Sequence, residues 1–182
     1  MSHRKNHYKK TETEALQAYM QSRTDLYSAL LPQNVEGALL SDANWIIRGH
    51  YAGGDELGIE VIPGDICYMD FGQAYLNEAG FQHFGLVINT WCRKALVIPM
   101  TSNESTYEKA WDERENPFGK RNLMRLGIVD GMEKPSVLFL NDMKFVNTAR
   151  VIEIRTHIDV YGELFHTVEE RIYGHLFRNA MC

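Results

Sequence analysis

Three short, strongly apolar segments in close succession constrain the fold of this chain most. Between residues 66 and 101 the sequence reads ICYMDF, FGLVIN and ALVIPMT, each rich in β-forming residues and apolar on both faces. The polar stretch TWCRK separates the second segment from the third and suits a hairpin turn. PSVLFLND and ARVIEIR predict further strands downstream. Strands linked this closely predict a small, barrel-like antiparallel sheet.

Helical patterns precede the strands. Residues 11–31 read as an amphipathic helix whose first four residues, TETE, have the spacing of a capping box. A shorter helix is predicted at 41–48, capped by one of its first two residues, and the glycine-rich YAGGDELG that follows predicts a loop. We therefore divide the chain into an N-terminal helical extension, residues 1–60, and a barrel domain, residues 61–182.

The second half of the chain contains a long polar segment and a terminal helix. Residues 103–130 are charged and lack a clean period, with a helical turn predicted at 107–114. A loop of this length is often functional. The terminal helix is predicted to open at a capping box, 167–170, with Val168, Ile172 and Leu176 on one face.

Composition limits the class of protein. Hydrophobic residues make up 45% and charged residues 24%, as in a packed globular protein, and no apolar run approaches the roughly 20 residues of a membrane span. Cys67, Cys92 and Cys182 have unrelated spacings, which predicts a reducing, cytoplasmic setting without a disulfide or zinc framework. His157, His166 and His175 show no ligand-like constellation, so we expect no metal and no cofactor.

The net charge of −5 disfavours binding to nucleic acid as a bulk property, but a local basic patch would suffice. The basic residues gather in two groups: Arg4, Lys5, Lys9 and Lys10, and then Arg114, Lys120, Arg121 and Arg125. A solvated protein face explains either group equally well.

The order of the motifs resembles a known family. GDICYMDFG, a loop with Glu78 and Gly80, FGLVIN, ALVIPMTSN and KPSVLFLNDMKFVN follow one another as in the PemK/MazF family of toxin endoribonucleases. The resemblance covers roughly residues 61–178. It implies a small, strongly bent antiparallel SH3-like β-barrel with helices, an α+β protein that acts as a homodimer. It also implies metal-independent cleavage of single-stranded RNA and inhibition by an antitoxin protein.

The resemblance places the family's site on particular residues. His83 stands where the family has arginine, whereas the threonine–serine pair is retained as Thr101 and Ser102. In the later motif, the family's aspartate and glutamine fall on Asn141 and Asp142. The next basic residue of the motif falls on Lys144. The final aspartate of the motif falls on Asn147, so that carboxylate is lost.

These residues could still support RNA cleavage. Histidine is better matched than arginine to proton transfer near neutrality, so His83 is a candidate acid or base. Thr101 and Ser102 offer hydroxyls to a phosphate, and Lys144 or Arg150 could stabilise developing charge. Each residue also has a plain structural interpretation, as a strand residue, a turn cap or a solvated side chain.

The remaining candidates for RNA binding come from the two loops beside the predicted strands. Tyr75 and Phe81 could stack on bases, and Asn141 and Asp142 could contact RNA or simply cap a turn.

Three functions follow. The first is a metal-independent endoribonuclease toxin that cleaves single-stranded RNA by 2′-hydroxyl attack, with an antitoxin as a possible partner. The second is a catalytically inactive relative that binds protein or nucleic acid. In the third, the N-terminal helix masks the groove; its amphipathic face could equally well pack on its own domain.

Overall fold

The computed structural model describes residues 3–30 and 32–178, with side chains described for 11–30, 32 and 34–177. The chain divides into two compact units, residues 1–39 and 40–182. The side chains of the N-terminal basic group and Cys182 lie outside the described residues. The domain boundary at residue 60 stays a prediction.

The N-terminal helices are longer than predicted. The first, α1 (His3–Ala29), runs through Thr11, so the predicted capping box lies inside the helix and does not begin it. The second, α2 (Pro32–Arg48), opens on a proline, which suits the first helical position because proline lacks the N–H that would go unpaired there. Ser41 therefore lies within a helix, and the prediction that one begins at 41 is wrong.

Eight strands and two further helices make up the rest of the fold. The strands are β1 (Asp65–Asp70), β2 (Gln82–Trp91), β3 (Lys94–Thr101), β4 (Ala110–Trp111), β5 (Lys120–Gly127), β6 (Ser136–Phe139), β7 (Lys144–Asn147) and β8 (Val151–His157). The helices are α3 (Glu104–Lys109) and α4 (Glu163–Tyr173), and a π-helical segment, Gly174–Arg178, continues α4.

The sheet is mostly antiparallel. Its order is β4-β5-β6-β3-β2-β1-β8, with β7 also paired to β3, and only β4 and β5 pair in parallel among the described strands. The mixed class of antiparallel sheet with helices is confirmed. The sheet is not closed, because its two end strands, β4 and β8, do not pair with each other.

All five predicted strands are present, and three, β4, β5 and β7, were missed. The hairpin turn between β2 and β3 holds Cys92 and Arg93 at φ of 46° and 63°, the left-handed conformation that a tight hairpin requires. β5 lies inside the segment that was predicted to be loop. The strand begins with the exposed, charged Lys120 and Arg121, so the sequence pattern reads as polar although the buried Leu123 and Met124 follow.

The predicted start of the terminal helix is four residues late. α4 begins at Glu163, and Thr167 is an interior residue whose hydroxyl donates to the Glu163 carbonyl at 2.8 Å. Val168 and Ile172 face the core as predicted, whereas Leu176 lies in the π-helical segment and is 52% exposed.

Alternate side chains of the central strands fill two cores. One contains Ile66, Leu86, Ile98 and Phe165, and the other contains Cys67, Met69, Val87 and Val97. Burying each large apolar side chain stabilises the fold by about 1.5–3 kcal/mol, so the central strands form a rigid support. None of the described helices has the length and apolar character that crossing a membrane would need.

Candidate functional site

His83 of β2 and Thr101 of β3 each lie two residues beyond the last pair that joins these strands. His83 pairs with Met69 of β1, and the β2–β3 pairing ends at Gly85↔Pro99. Continuing that register by two residues places His83 opposite Thr101, and directly opposed residues share a face. His83 is exposed and Thr101 half-buried, so neither side chain is sealed beneath packing. The catalytic roles of both residues stay predictions.

The imidazole of His83 is partly desolvated. Although its side chain reaches solvent, the atoms packed around the ring lower the pKa of His83 below its usual value of 6.5. The cause is burial, which disfavours the charged form. The ring is therefore neutral at pH 7 and able to accept a proton.

The ring of Phe71 packs against Gly85, two residues from His83 on β2, and we call this ring the floor of the site. A Cβ added at Gly85 would lie 3.1 Å from Cζ of Phe71 and 2.5 Å from Cγ1 of Val97, so the ring rests where glycine leaves space. Lys144 pairs with Val97 and thus projects on this same face, with its Nζ 5.7 Å from the centroid of the Phe71 ring. The face carries a neutral imidazole, a cation and an aromatic floor.

The hydroxyl pair predicted to bind phosphate ends β3. Thr101 Oγ1 accepts a hydrogen bond from the backbone N–H of Asn103 at 3.2 Å, and Asn103 in turn caps α3 through Thr106 N–H at 3.0 Å. A hydroxyl that accepts one bond can still donate another to an anionic oxygen. Ser102 is exposed, and its hydroxyl makes no hydrogen bond to a described residue.

Asp142 and Lys144 hold the loop between β1 and β2. The backbone N–H of Ala79 donates to Asp142 Oδ2 at 2.5 Å, and Lys144 Nζ lies 3.0 Å from Asp142 Oδ1. Lys144 also donates to the Ala79 carbonyl at 3.5 Å. We call these three residues the loop latch. Because these polar groups already have partners, RNA contact by Asp142 and Lys144 stays a prediction.

The loop held by the latch, residues 72–81, is closed at its base and open at its tip. Phe71 N–H donates to the Phe81 carbonyl at 2.7 Å, and Phe81 N–H donates to the Gly72 carbonyl at 2.6 Å. At the tip, the side chains of Tyr75 and Leu76 are 85% and 94% exposed. Stacking of Tyr75 on a base stays a prediction, whereas half-buried Phe81 helps to close the loop with a positive φ of 56°.

The two remaining candidates are held at the edges of this region. Arg150 donates through NH1 to the Asp70 carbonyl at 3.1 Å, beside the start of the loop. Asn141 is exposed and accepts a hydrogen bond from Asn122 Nδ2 at 3.1 Å. RNA binding by either residue stays a prediction.

Sequence reasoning missed Asp70, the buried carboxylate at the end of β1. Its Oδ1 accepts hydrogen bonds from Ser41 Oγ and from the backbone N–H of Gly72, both at 2.9 Å. A buried carboxylate needs such partners, and this one fixes the point where the loop begins. The available signal was the polar residue that interrupts the apolar run ICYMDF.

Two histidines outside the site have carboxylate partners. His157 Nδ1 lies 2.9 Å from Asp65 Oδ1, and His166 Nδ1 lies 3.3 Å from Glu169 Oε2. Within the described residues, no group of three or more side chains is placed to hold a metal ion.

Comparisons with known proteins found similarity in structure alone. No protein-family model matches the chain, and no curated protein matches it in sequence. The structure is similar to MazF from Deinococcus radiodurans, with a TM-score of 0.47 and 12% identity over 65% of this chain and 97% of that one. It is also similar to an endoribonuclease in complex with its cognate antitoxin from Mycobacterial species, with a TM-score of 0.45 and 7% identity over 67% of this chain and 100% of that one.

Proposed function

We propose that this protein is a metal-independent endoribonuclease of the PemK/MazF type that cleaves single-stranded RNA by attack of the ribose 2′-hydroxyl. The observation that supports the proposal is the register of β2 and β3, which, continued by two residues beyond Gly85↔Pro99, would set exposed His83 opposite Thr101. The cation of Lys144 projects from the same face. By the same resemblance, we propose a cytoplasmic homodimer with an antitoxin partner.

Neutral His83 suits the role of general base. It would remove the 2′-proton as the 2′-oxygen attacks phosphorus, and the 5′-oxygen would leave to give a 2′,3′-cyclic phosphate. Thr101 and Ser102 would donate hydrogen bonds to a non-bridging phosphate oxygen. The Lys144 ammonium would stabilise the added negative charge of the transition state and is a proton donor for the leaving 5′-oxygen.

A second function, RNA or protein binding without catalysis, is favoured by the occupied state of two site groups. Lys144 is paired with Asp142, and Thr101 Oγ1 already accepts from Asn103. Both contacts stabilise the fold without any substrate. A face of this kind could bind a ligand although its cation is partly neutralised.

Cleavage of a long single-stranded RNA in the presence of EDTA tests the proposal. We expect fragments with cyclic phosphate and 5′-hydroxyl ends, and a loss of at least about 100-fold in rate for His83→Ala, since general base catalysis contributes 10²–10⁴-fold. Thr101→Ala should also be strongly impaired.

His166→Ala provides the matched control, because this exposed histidine lies on α4 beside Glu169 and outside the proposed site. Its cleavage rate should equal that of the unaltered protein. An absence of cleavage by the full chain, or equal rates for His83→Ala and His166→Ala, would favour the binding function.

A further inference from the structure

A rigid arm projects from the sheet between β4 and β5. The arm comprises residues 110–121, and its most exposed aromatic side chain is Phe118, which is 98% exposed. Ala110 pairs with Lys120 at the base. The segment is the core of the long polar stretch that the sequence predicted to be loop, and none of its residues is used by the proposed catalytic face.

Hydrogen bonds within the arm fix its shape. Asp112 and Asn116 exchange backbone hydrogen bonds of 3.1 and 3.2 Å, and Gly119 N–H donates to the Asn116 carbonyl at 3.0 Å. Asn116 Nδ2 also donates to the carbonyls of Ala110 and Glu108 at 2.9 and 3.1 Å. Phe118 consequently lies between two hydrogen-bonded residues, Asn116 and Gly119.

Side chains anchor the arm to the helix α4. The Arg171 guanidinium stacks on the ring of Trp111, 3.9 Å from its centroid, and donates through NH2 to the Arg121 carbonyl at 2.8 Å. Gly119 packs so closely that an added Cβ would lie 2.6 Å from the Ala110 carbonyl oxygen. Preorganisation of this kind lowers the entropy lost when a ligand binds.

The cations of the arm lack ion-pair partners among the described residues, whereas two of its acids have partners. Arg114, Lys120 and Arg121 are exposed and make no ion pair with a described residue. Two acids of the arm are engaged: Asp112 Oδ1 accepts the N–H groups of Arg114 and Glu115 at 2.9 and 2.7 Å, and Glu115 pairs with Arg125 at 3.0 Å. Glu113 is the remaining exposed carboxylate of the arm.

We infer that the arm is a contact site for single-stranded RNA, in which Phe118 stacks on an unpaired base while Arg114, Lys120 and Arg121 bind phosphates. Stacking on one base requires one ring, and phosphates complement the three cations. A single ring is too small for a membrane anchor, and a stable protein interface buries about 800 Å² on each partner. The inference extends the proposed function by adding a second RNA contact outside the catalytic face.

Binding of a fluorescent, fully 2′-O-methylated single-stranded RNA tests the inference, because this probe lacks the attacking 2′-hydroxyl. Measured by anisotropy with the full chain, Phe118→Ala should weaken binding on the order of tenfold, since stacking on an aromatic side chain contributes 1–3 kcal/mol per base. Phe118→Trp should retain the affinity. Lys120→Gln should weaken binding and reduce the slope of affinity against salt by roughly one phosphate contact.

Tyr161→Ala is the matched control, because Tyr161 is 95% exposed but lies between Asp159 and Glu163. Its affinity should equal that of the unaltered protein. Equal affinities for Phe118→Ala and Tyr161→Ala would overturn the inference, as would a Phe118→Ala defect confined to anionic lipid vesicles or to a protein partner.

The two proposals fail separately. If Phe118→Ala weakens RNA binding in a protein that does not cleave RNA, the arm is an RNA contact and the nuclease proposal fails. If RNA is cleaved with dependence on His83 while Phe118→Ala binds normally, the nuclease stands and the arm inference fails.

Discussion

The Asp142 carboxylate accepts the backbone N–H of Ala79, joining the turn after β6 to the loop between β1 and β2 across 63 residues of sequence. Lys144 forms an ion pair with the other oxygen of the same carboxylate. A loop held at one point by a charged acceptor can be opened without unfolding the sheet beneath it. The loop latch is therefore a place to separate loop order from global stability.

Replacing Asp142 with alanine should loosen the loop. Ala79 N–H would lose its acceptor and Lys144 its ion pair, so we expect chymotrypsin to cleave after exposed Tyr75 several times faster. The global midpoint of urea unfolding should shift little. Asp142→Asn should lie between, because its amide oxygen can still accept the N–H but carries no charge.

Asp159→Ala is a suitable control for the latch, since this side chain also accepts a loop N–H, from Tyr161 at 3.0 Å. It should leave the rate of cleavage after Tyr75 unchanged. Equal rates in Asp142→Ala and the unaltered protein would show that the loop is ordered by its base alone.

The lowered pKa of His83 sets the direction of the pH dependence. A general base works when deprotonated, so the cleavage rate should rise with pH and level off at a pKa below 6.5, the value that burial depresses. A rate that falls as pH rises through this range would instead assign His83 the role of acid. The measurement is the pH profile of kcat/KM, with His166→Gln as the control that leaves the profile in place.

Stability should respond to the same group. Because the pKa of His83 is lower in the folded protein than in the unfolded chain, the unfolded state binds more protons as pH falls. The contribution of His83 to the free energy of unfolding is present above about pH 6.5 and is lost as the pH falls through the pKa of the folded state. Urea unfolding of His83→Gln at pH 7.5 and at pH 5 should show a smaller loss of stability on acidification than the unaltered protein.

Ser41 connects α2 to the buried Asp70, and its removal should destabilise the unit formed by residues 40–182. Ser41→Ala leaves a buried carboxylate with one fewer donor, which costs about 1–3 kcal/mol. Ser22→Ala removes an exposed hydroxyl bonded within α1 at 3.0 Å and should change stability by less than about 0.5 kcal/mol. Indistinguishable unfolding free energies for the two variants would exclude a stabilising role for the Ser41 hydroxyl.

Local sequence signals predicted the central strands and the presence of helices towards both ends of the chain. The strands β1, β2 and β3 are apolar on both faces because each face packs against a core. The turn at Cys92 and Arg93 was predicted from the short length of the segment that joins β2 to β3. The predicted helix starts were wrong because Thr11 and Thr167 have the spacing of capping boxes but lie inside longer helices. A capping signal favours a helix start only where no helical residues precede it.

The candidate site was less predictable because its contacts are long-range. Nothing near Asp142 in the sequence indicates that its partner is Ala79, or that Asp70 bonds to Ser41 of a helix. β5 was hidden by its charged first residues, which serve the adjacent arm. Register alone connects His83 with Thr101, and register depends on the hairpin turn that the sequence did reveal.

Gly85 tests whether the floor of the site depends on close packing. In Gly85→Ala, the new Cβ would meet Val97 Cγ1 at 2.5 Å and the Phe71 ring at 3.1 Å, so one of them must move. Overpacking of this kind costs about 1–3 kcal/mol. Gly174→Ala, at a helical position with no atom within 4 Å, should be neutral or slightly stabilising. In Gly85→Ala/Val97→Ala the loss of unfolding free energy should be smaller than the sum of the single losses, because the shortened side chain makes room for the added methyl. Strict additivity would show that the two positions do not share this contact.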